Sequence, residues 1–293
     1  MKLNVPGKTF LVGEYSVLLG GSALGLLTKP CFKITYDQGP GLDFHNESPA
    51  GMYLRKHNKS VLASMKDPYI SGGFGRSTAE YWTVAAPDLI KTKQAFHMIS
   101  AEYKSLHSGS GVDLAFQYFG QVCLADPLIQ FYQTFNWHFQ NLDFYIISTG
   151  LKIKTHEHLK NLSLNSLRDL PALSNKITKV FSENKEFEFL ALMKDWCKAL
   201  EALGLTHNNS LEMKARLETF EPIKLAKPCG ALGADVIIVF FAKSHKESVR
   251  NFLLQNKYNI QAHSSDLIEG VSSQLDKFRI DIQSSLNGSP DVV

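Results

Sequence analysis

The sequence has few cysteines and no excess of charge of one sign, and both features exclude classes of protein. The four cysteines among its 293 residues stand far apart and form no C-x-x-C pair, so neither a zinc knuckle nor a disulfide framework is indicated. We expect four reduced thiols in the core. The 31 basic and 28 acidic residues leave a net charge of +3, too small to attract nucleic acid or an anionic membrane through the overall field.

Long apolar runs are also missing. Pro6 and Gly7 interrupt the N-terminal segment where a signal peptide needs a continuous apolar stretch, and no run approaches the length of about 18 apolar residues that spans a membrane. Apolar residues still make up 44% of the chain, enough for a sizeable core. These features predict a cytoplasmic protein, a monomer or homodimer, without a nucleic-acid or membrane partner.

What the sequence does have is a glycine-rich stretch, SGGFGRSTAE, at residues 71–80. Its three glycines allow positive φ and a close approach of the backbone to a ligand, and Ser77-Thr78 then opens a helical run. Free N–H groups and the positive end of the helix dipole would point at one spot, which suits a phosphate. The spacing matches neither the Walker nor the dinucleotide-binding pattern, and a simple turn before a helix is the alternative.

Apolar periodicity and turn residues along the chain predict an α+β fold. Strands are predicted at 9–12, 15–19, 23–28, 32–36, 143–148, 236–241 and 258–264, and helices at 52–65, 78–90, 93–106, 187–203, 211–221 and 246–254. The strand that starts after residues 136–142 indicates a boundary, which gives a first domain of residues 1–138 and a second of residues 139–293. The second domain is expected to have one sheet with helices on one face.

Three further motifs accompany the glycine-rich stretch. They are PGKTFLVGEYSVL from Pro6, SGSGVDLA from Ser108 and KPCGALGAD from Lys227. In this order and spacing the four stretches resemble the GHMP family of small-molecule kinases, and within it the mevalonate and phosphomevalonate kinases. The family patterns are P-G-K followed by G-E-(H/Y)-x-V, then G-L-G-S-S-A, then G-A-G-G-G. The resemblance covers residues 5–241.

The resemblance implies a two-domain α+β GHMP kinase fold, with the active site between the domains. The N-terminal, ATP-binding domain would be of the ribosomal-S5-domain-2-like type, and the C-terminal domain would be ferredoxin-like. It also implies ATP and Mg²⁺, and an anionic small molecule as phosphoryl acceptor. The physical demands agree, since phosphoryl transfer asks chiefly for positioning and charge neutralisation.

Two residues match the catalytic pair of the family. Asp113 corresponds to its catalytic aspartate and Lys8 to the lysine that pairs with it. An ammonium beside a carboxylate keeps it charged and oriented against the acceptor. A structural salt bridge between the same two residues is the alternative.

The resemblance also implies a phosphate site and a metal site. The phosphates would be held by Gly72, Gly73, Gly75, Arg76, Ser77 and Thr78. Ser77 falls on the serine that contacts Mg²⁺ in the family, and Glu102 lies 11 residues before Asp113, as the metal carboxylate of mevalonate kinases does. For Glu102 a solvated helix position is the alternative. Arg76 replaces a serine of the family motif and would either clamp a phosphate or pair with Glu80.

A third group of residues is implied to bind the acceptor. It comprises Glu14, Tyr15, Ser110, Lys152, Thr155 and Gly230. Lys152 and its neighbour Lys154 would hold an anionic acceptor as point charges, and ordinary surface lysines are the alternative. Leu232 and Ala234 replace two glycines of the third family motif, so the backbone is expected to approach its ligand less closely there.

The identity of the acceptor is argued from a few positions. Tyr15 stands where phosphomevalonate kinases carry tyrosine and mevalonate kinases usually histidine, and Asp235 ends a pattern typical of the former. The spacing of Glu102 favours mevalonate kinase, as does the fact that an alcohol needs a base more than a phosphate does. We predict an ATP:phosphomevalonate phosphotransferase of the mevalonate (isoprenoid) pathway. The alternatives are mevalonate kinase, another alcohol kinase of the family, and a non-catalytic GHMP-fold binding protein.

Overall fold

A five-stranded antiparallel sheet forms the base of the first half in a computed structural model, which describes residues 1–36, 41–69, 74–92, 96–106, 109–151 and 164–278. The strands are β1 (Lys2–Val12), β2 (Ala23–Tyr36), β3 (Ala63–Lys66), β4 (Val122–Asp126) and β5 (Phe131–Phe135). They pair in the order β1-β2-β4-β5, with β3 beside the second part of β2. The start of β1 alternates between exposed and buried residues, as expected for a strand with one face on the core.

The second half has a four-stranded antiparallel sheet. It contains β6 (Leu142–Ser148), β7 (Ile223–Cys229), β8 (Val236–Ala242) and β9 (Asn259–His263), in the order β7-β8-β6-β9. With helices after β6 and β8, this is the β-α-β-β-α-β arrangement of ferredoxin-like folds. The central strand β8 is apolar throughout because both of its faces are covered.

Helices pack on both sheets. In the first half they are α1 (Pro49–Lys56), α2 (Arg76–Thr92), α3 (Phe96–Leu106) and α4 (Val112–Phe119). In the second half they are α5 (Leu170–Ser182), α6 (Glu186–Ala202), α7 (Asn208–Glu218), α8 (Lys246–Gln255) and α9 (271–278). No helix in these described ranges is both long and apolar enough to cross a membrane.

One hydrophobic core continues from the first half into the second. The same cluster contains Trp82 of α2, Phe144 of β6 and Trp196 of α6. After β9 the chain returns to the first sheet, where Glu269 lies opposite Gly120 and the Gln274 side chain bonds to the backbone of Asn4. The division at residue 138 stays a prediction, and the last described segment packs against the first half.

The prediction of helices on one face of the second sheet is wrong, because Phe189 of α6 packs on one face and Leu217 of α7 on the other. Most predicted elements are confirmed within a few residues, and two are wrong. The predicted strand at 15–19 is a turn followed by a 3-10 helix at Ser16–Leu19. Gly13 and Tyr15 have φ of +103° and 69°, which turns the chain out of the extended conformation. The predicted helix at 52–65 is instead α1 followed by β3. The Ser48 side chain caps α1 by accepting a hydrogen bond from the Gly51 N–H at 3.1 Å, ahead of the predicted start.

The four cysteines, Cys31, Cys123, Cys197 and Cys229, are free and buried, which confirms the expectation of core thiols.

Candidate active site

A cavity of about 200 Å³ lies where the two halves meet. Its wall is built from β1 and the turn after it, from the start of α4, and from the turn after β7. The polar residues that line it are Lys8, Glu14, Tyr15, Tyr103, Ser110, Asp113 and Asp235. A larger open groove of about 1200 Å³ runs along β9 and the ends of α7 and α8, and the described residues that line it include none of the predicted site residues. The smaller cavity is therefore the candidate active site.

The predicted catalytic pair forms an ion pair at the wall of this cavity. Lys8 Nζ lies 2.9 Å from Asp113 Oδ1, and the Lys8 side chain is 14% exposed while that of Asp113 is 38% exposed. Lys8 is on β1, and Asp113 lies in the first turn of α4, which starts after Gly111 at φ 74°. The ammonium thus faces inward and the carboxylate remains accessible to a molecule in the cavity.

The end of the glycine-rich stretch packs against Lys8. The Lys8 N–H donates to the Phe74 carbonyl at 2.9 Å, and a Cβ on Gly75 would lie 3.2 Å from Lys8 Cε and 2.9 Å from Gln117 Nε2. Gly75 has φ +80°, so both its conformation and its surroundings require glycine. This contact brings the predicted phosphate loop next to the predicted catalytic pair.

The helix that follows the glycines is fixed at its start by side chains. Thr78 Oγ1 and Gln117 Nε2 donate to the Gly75 carbonyl at 2.8 and 3.2 Å, and Gln117 also donates to the Pro6 carbonyl at 3.1 Å. Ser77 lies exposed in the first turn of α2. Gly72 and Gly73 lie outside the described residues. The described part of the stretch has the helix N-terminus that a phosphate site needs.

Arg76 forms ion pairs, which confirms the predicted alternative that it pairs with Glu80. Its guanidinium lies 3.0 Å from Glu80 and 3.2 Å from Asp67. The hydrogen bond to Glu80 is the main cause of a raised pKa for Arg76. Both carboxylates compete with a phosphate for this side chain.

Glu102, the predicted metal ligand, contacts the end of α1. Its Oε1 accepts from His57 and lies 3.2 Å from Lys56 Nζ. Among the described residues no group of three or more His, Cys, Asp or Glu side chains could hold a metal ion. Mg²⁺ takes many of its ligands from water and phosphate, so Ser77 could still contribute one. The role of Ser77 and Glu102 as metal ligands stays a prediction.

Tyr15 and the third motif meet at the side of the cavity. The Leu232 N–H donates to the Tyr15 hydroxyl at 3.0 Å. Burial is the main cause that raises the pKa of Tyr15 to about 12, so its hydroxyl is neutral at pH 7. Leu232 has φ 51°, so it adopts the left-handed conformation that glycine adopts most easily. Leu232 therefore adopts the backbone conformation that a glycine of the family motif would take more easily at this position.

The other predicted acceptor residues have mixed positions. Ser110 lines the cavity and its Oγ accepts from the Val112 N–H at 3.3 Å. Gly230 also lines it with φ +93°, and a Cβ there would collide with the Asp235 carboxylate. Lys152 and Thr155 lie outside the described residues.

Glu14 is buried and its carboxylate bonds to the ammonium of Lys227, a lysine that reaches it from β7.

Three of the residues around the cavity had no functional role predicted from the sequence. Tyr103 and Asp235 line it, and Lys227 lies directly behind Glu14. Burial raises the pKa of Tyr103, and the nearby Asp113 carboxylate adds to that shift. Asp235 and Lys227 stand at the two ends of KPCGALGAD, so their place in that motif was the available signal. Tyr103 had no such signal, because it lies within an amphipathic helix.

The fold is similar to those of several solved structures. No protein-family model and no curated protein matches the sequence. Phosphomevalonate kinase from Streptococcus pneumoniae is similar in structure, with 15% identity, a TM-score of 0.69, and 92% of this chain and 99% of that one covered. Mevalonate kinase from Methanococcus jannaschii is 16% identical, with a TM-score of 0.60 and 90% and 97% covered. The chain has the GHMP kinase fold.

A further match is the Lin0012 protein from Listeria innocua, with 15% identity, a TM-score of 0.71, and 89% of this chain and 96% of that one covered. These likenesses span nearly the whole length of each chain. The predicted α+β GHMP kinase fold is thereby confirmed. Proteins with this fold include kinases for different acceptors, so the acceptor has to be argued from the cavity itself.

Proposed function

We propose that this protein is an ATP-dependent kinase that transfers the γ-phosphoryl group of ATP to phosphomevalonate. The observation that carries the proposal is the Lys8–Asp113 ion pair, 2.9 Å long, which lines a cavity and touches the end of the glycine-rich stretch. A phosphate loop, a cation and an accessible carboxylate within one cleft are the parts that phosphoryl transfer requires. An ion pair with only a structural role would not need to line a cavity.

The chemistry assigned to these residues is limited. The phosphates of ATP would lie at the start of α2, where Gly75 permits close approach and the helix dipole favours negative charge. An acceptor oxygen attacks the γ-phosphorus, the bond from that phosphorus to the bridging oxygen of ADP breaks, and ADP leaves. Lys8 would neutralise developing charge. When the acceptor is a hydroxyl, Asp113 would take its proton.

Two observations support phosphomevalonate as the acceptor. Tyr15, which stands where phosphomevalonate kinases carry tyrosine, lines the cavity. The pneumococcal phosphomevalonate kinase has also been solved in complex with phosphomevalonate and AMPPNP, and that structure has a TM-score of 0.69 to this chain. A TM-score of 0.60 to the archaeal mevalonate kinase is lower.

Mevalonate is the second candidate. The accessible carboxylate of Asp113, oriented by Lys8, supports it because an alcohol needs a base whereas a phosphate dianion scarcely does.

The test is ADP release from ATP and Mg²⁺ with phosphomevalonate, with mevalonate and without acceptor, run in parallel. We expect turnover with phosphomevalonate above the rate without acceptor. Turnover with mevalonate alone would transfer the assignment to the second candidate. If neither turns over and ATP with Mg²⁺ does not raise the melting temperature, the protein is a binding protein with this fold rather than a kinase.

A further inference from the structure

Lys227 is a fully buried lysine behind the wall of the cavity. Its ammonium donates to Glu14 Oε1, and it lies 3.4 Å from the carbonyl oxygens of Phe10 and Pro228 and 3.3 Å from Cys229 Sγ. Lysine is almost never fully buried unless it is paired, because the desolvation of an ammonium is costly. Residue 227 belongs to the second half and residue 14 to the first, so the pair joins the halves beside the site.

Only one of the two carboxylate oxygens of Glu14, Oε1, takes part in this contact. Its side chain is 9% exposed, and its Oε2 is buried without a hydrogen-bond partner among the described residues. Glu14 is also a cavity residue. A buried carboxylate oxygen without a donor is destabilising, so the free oxygen is best explained by a donor that a ligand supplies.

The charges around Lys227 identify Glu14 as its counter-ion. Burial raises the pKa of the Cys229 thiol to about 11, so this sulfur is neutral at pH 7. Burial also works against the ammonium of Lys227, but its neighbours Cys229 and Glu14 outweigh burial and raise its pKa. With the thiol neutral, the negative charge that holds the ammonium is that of Glu14.

We propose that Lys227 is a positioning residue for Glu14. Its ammonium holds Oε1 of the Glu14 carboxylate and neutralises the carboxylate charge. Oε2 is then left to accept a hydrogen bond from a hydroxyl group of the phosphoryl acceptor. The inference rests on the proposed kinase function of this cavity. A carboxylate at the wall without a counter-ion would repel an anionic phosphoryl acceptor. A carboxylate paired with Lys227 carries no net charge together with it, and can still accept a hydrogen bond from a hydroxyl group of that molecule. Lys227 would therefore set the affinity for the acceptor through Glu14, without touching it.

The kinetic test uses three variants: Lys227→Met, Glu14→Gln and the double variant. We expect Lys227→Met to raise the KM for phosphomevalonate about tenfold or more, with the KM for ATP nearly unchanged. The double variant should be no worse than Glu14→Gln alone, because Lys227 acts through Glu14. Additive losses, or an equal rise in the KM for ATP, would overturn the proposal. Lys214→Met is the control, since Lys214 pairs with Glu218 on α7, away from the cavity.

The pH profile gives a readout that a merely structural role would not move. In Lys227→Met, the buried carboxylate of Glu14 loses the cation that pairs with it, so we expect kcat/KM for the acceptor to show a pH dependence that the wild type and the double variant lack. Among the described residues, the other titratable groups on which Glu14 acts are Tyr15 beside it, Cys229 on β7 and Cys197 on α6. The ammonium of Lys227 lowers the pKa of each of these three groups, so its loss moves their ionisation further above neutral pH, and the new pH dependence belongs to Glu14.

Unfolding as a function of pH tests the pair without any acceptor. In Lys227→Met the carboxylate of Glu14 is buried without its cation, so charging it costs more in the folded than in the unfolded chain, and stability should fall as pH rises above the ordinary glutamate value. In Glu14→Gln the folded-state pKa of Lys227 is depressed, so stability rises as pH approaches the ordinary lysine value. The same pH dependence of stability in both variants would overturn the claim that Glu14 and Lys227 form a charge pair. If no acceptor turns over in the wild type, the proposed function fails and these slopes still decide the charge pairing.

Should Lys227→Met fail to fold, the double variant still decides the matter, because it removes both buried charges together. A KM for phosphomevalonate equal to that of Glu14→Gln supports the proposal, and a higher one contradicts it.

Discussion

The backbone N–H of Leu232 donates a hydrogen bond of 3.0 Å to the hydroxyl oxygen of Tyr15, 217 residues earlier in the chain. One residue follows β1 and the other follows β7. Both have positive φ, 69° and 51°. Such conformations cost on the order of 1–3 kcal/mol for residues other than glycine and persist where the surroundings over-determine them. Two strained turns, one from each half, are therefore held together beside the cavity.

Removal of the Tyr15 hydroxyl should weaken this connection. We expect Tyr15→Phe to lower the free energy of unfolding by about 1 kcal/mol, the usual contribution of one hydrogen bond, and to raise the KM for the acceptor. Urea unfolding and steady-state kinetics measure the two effects. Tyr36→Phe is the matched control: its buried hydroxyl donates to the Thr83 carbonyl at 3.1 Å within the first half, so it should lose stability without a change in KM. A similar KM change in both variants would argue against a local role for Tyr15.

Gly75→Ala should impair ATP binding more than it impairs folding. The new Cβ would lie 2.9 Å from Gln117 Nε2 and 3.2 Å from Lys8 Cε, at φ +80°. Gly204→Ala supplies the control, because Gly204 has φ +67° and nothing within 4 Å of its Cβ. Both variants should lose about 1–2 kcal/mol from left-handed backbone alone. Only Gly75→Ala should raise the KM for ATP, and equal KM values would place the phosphates elsewhere.

Arg76→Gln distinguishes an ion pair from a phosphate clamp. Since Arg76 is half exposed and contacts Asp67 and Glu80, we expect a loss below about 1 kcal/mol that shrinks in high salt. The KM for ATP should change by less than about threefold, as it would for loss of a partner outside the phosphate site. A tenfold rise in that KM would instead mean that Arg76 leaves its carboxylates to bind a phosphate.

Local patterns were sufficient for much of the fold. The apolar run at 236–241 and the helical spacing at 187–203 predict the observed strand Val236–Ala242 and helix Glu186–Ala202, because burial decides both pattern and structure. The strand predicted at 15–19 failed because its apolar residues carry no sign of the positive φ at Tyr15, which tertiary contacts impose. Strand order was likewise beyond periodicity, since it depends on pairing between distant segments.

The candidate site was predictable where motifs carry it. The motifs predict that Lys8 and Asp113 pair although they are 105 positions apart in the sequence. In the structure Lys8 Nζ lies 2.9 Å from Asp113 Oδ1. Lys227 was in a quoted motif, but its burial against Glu14 could not be read from sequence, where lysine normally indicates an exposed position. The contact between the two motif residues Lys8 and Asp113 was thus predictable, and the buried partner of Glu14 was not.

The most direct test of the kinase account compares wild type with Asp113→Asn at saturating ATP and acceptor. The account predicts that kcat falls with either acceptor, because Asp113 holds Lys8 where its ammonium would neutralise the developing charge. With a hydroxyl acceptor the fall should be on the order of a hundredfold or more, the effect of a lost acid-base group. The rise in melting temperature with ATP and Mg²⁺ should persist, because Asp113 is not assigned to ATP binding. Asp88→Asn, which breaks an ion pair with Lys59 of similar length outside the cavity, should leave kcat unchanged. An unchanged kcat in Asp113→Asn would contradict the account.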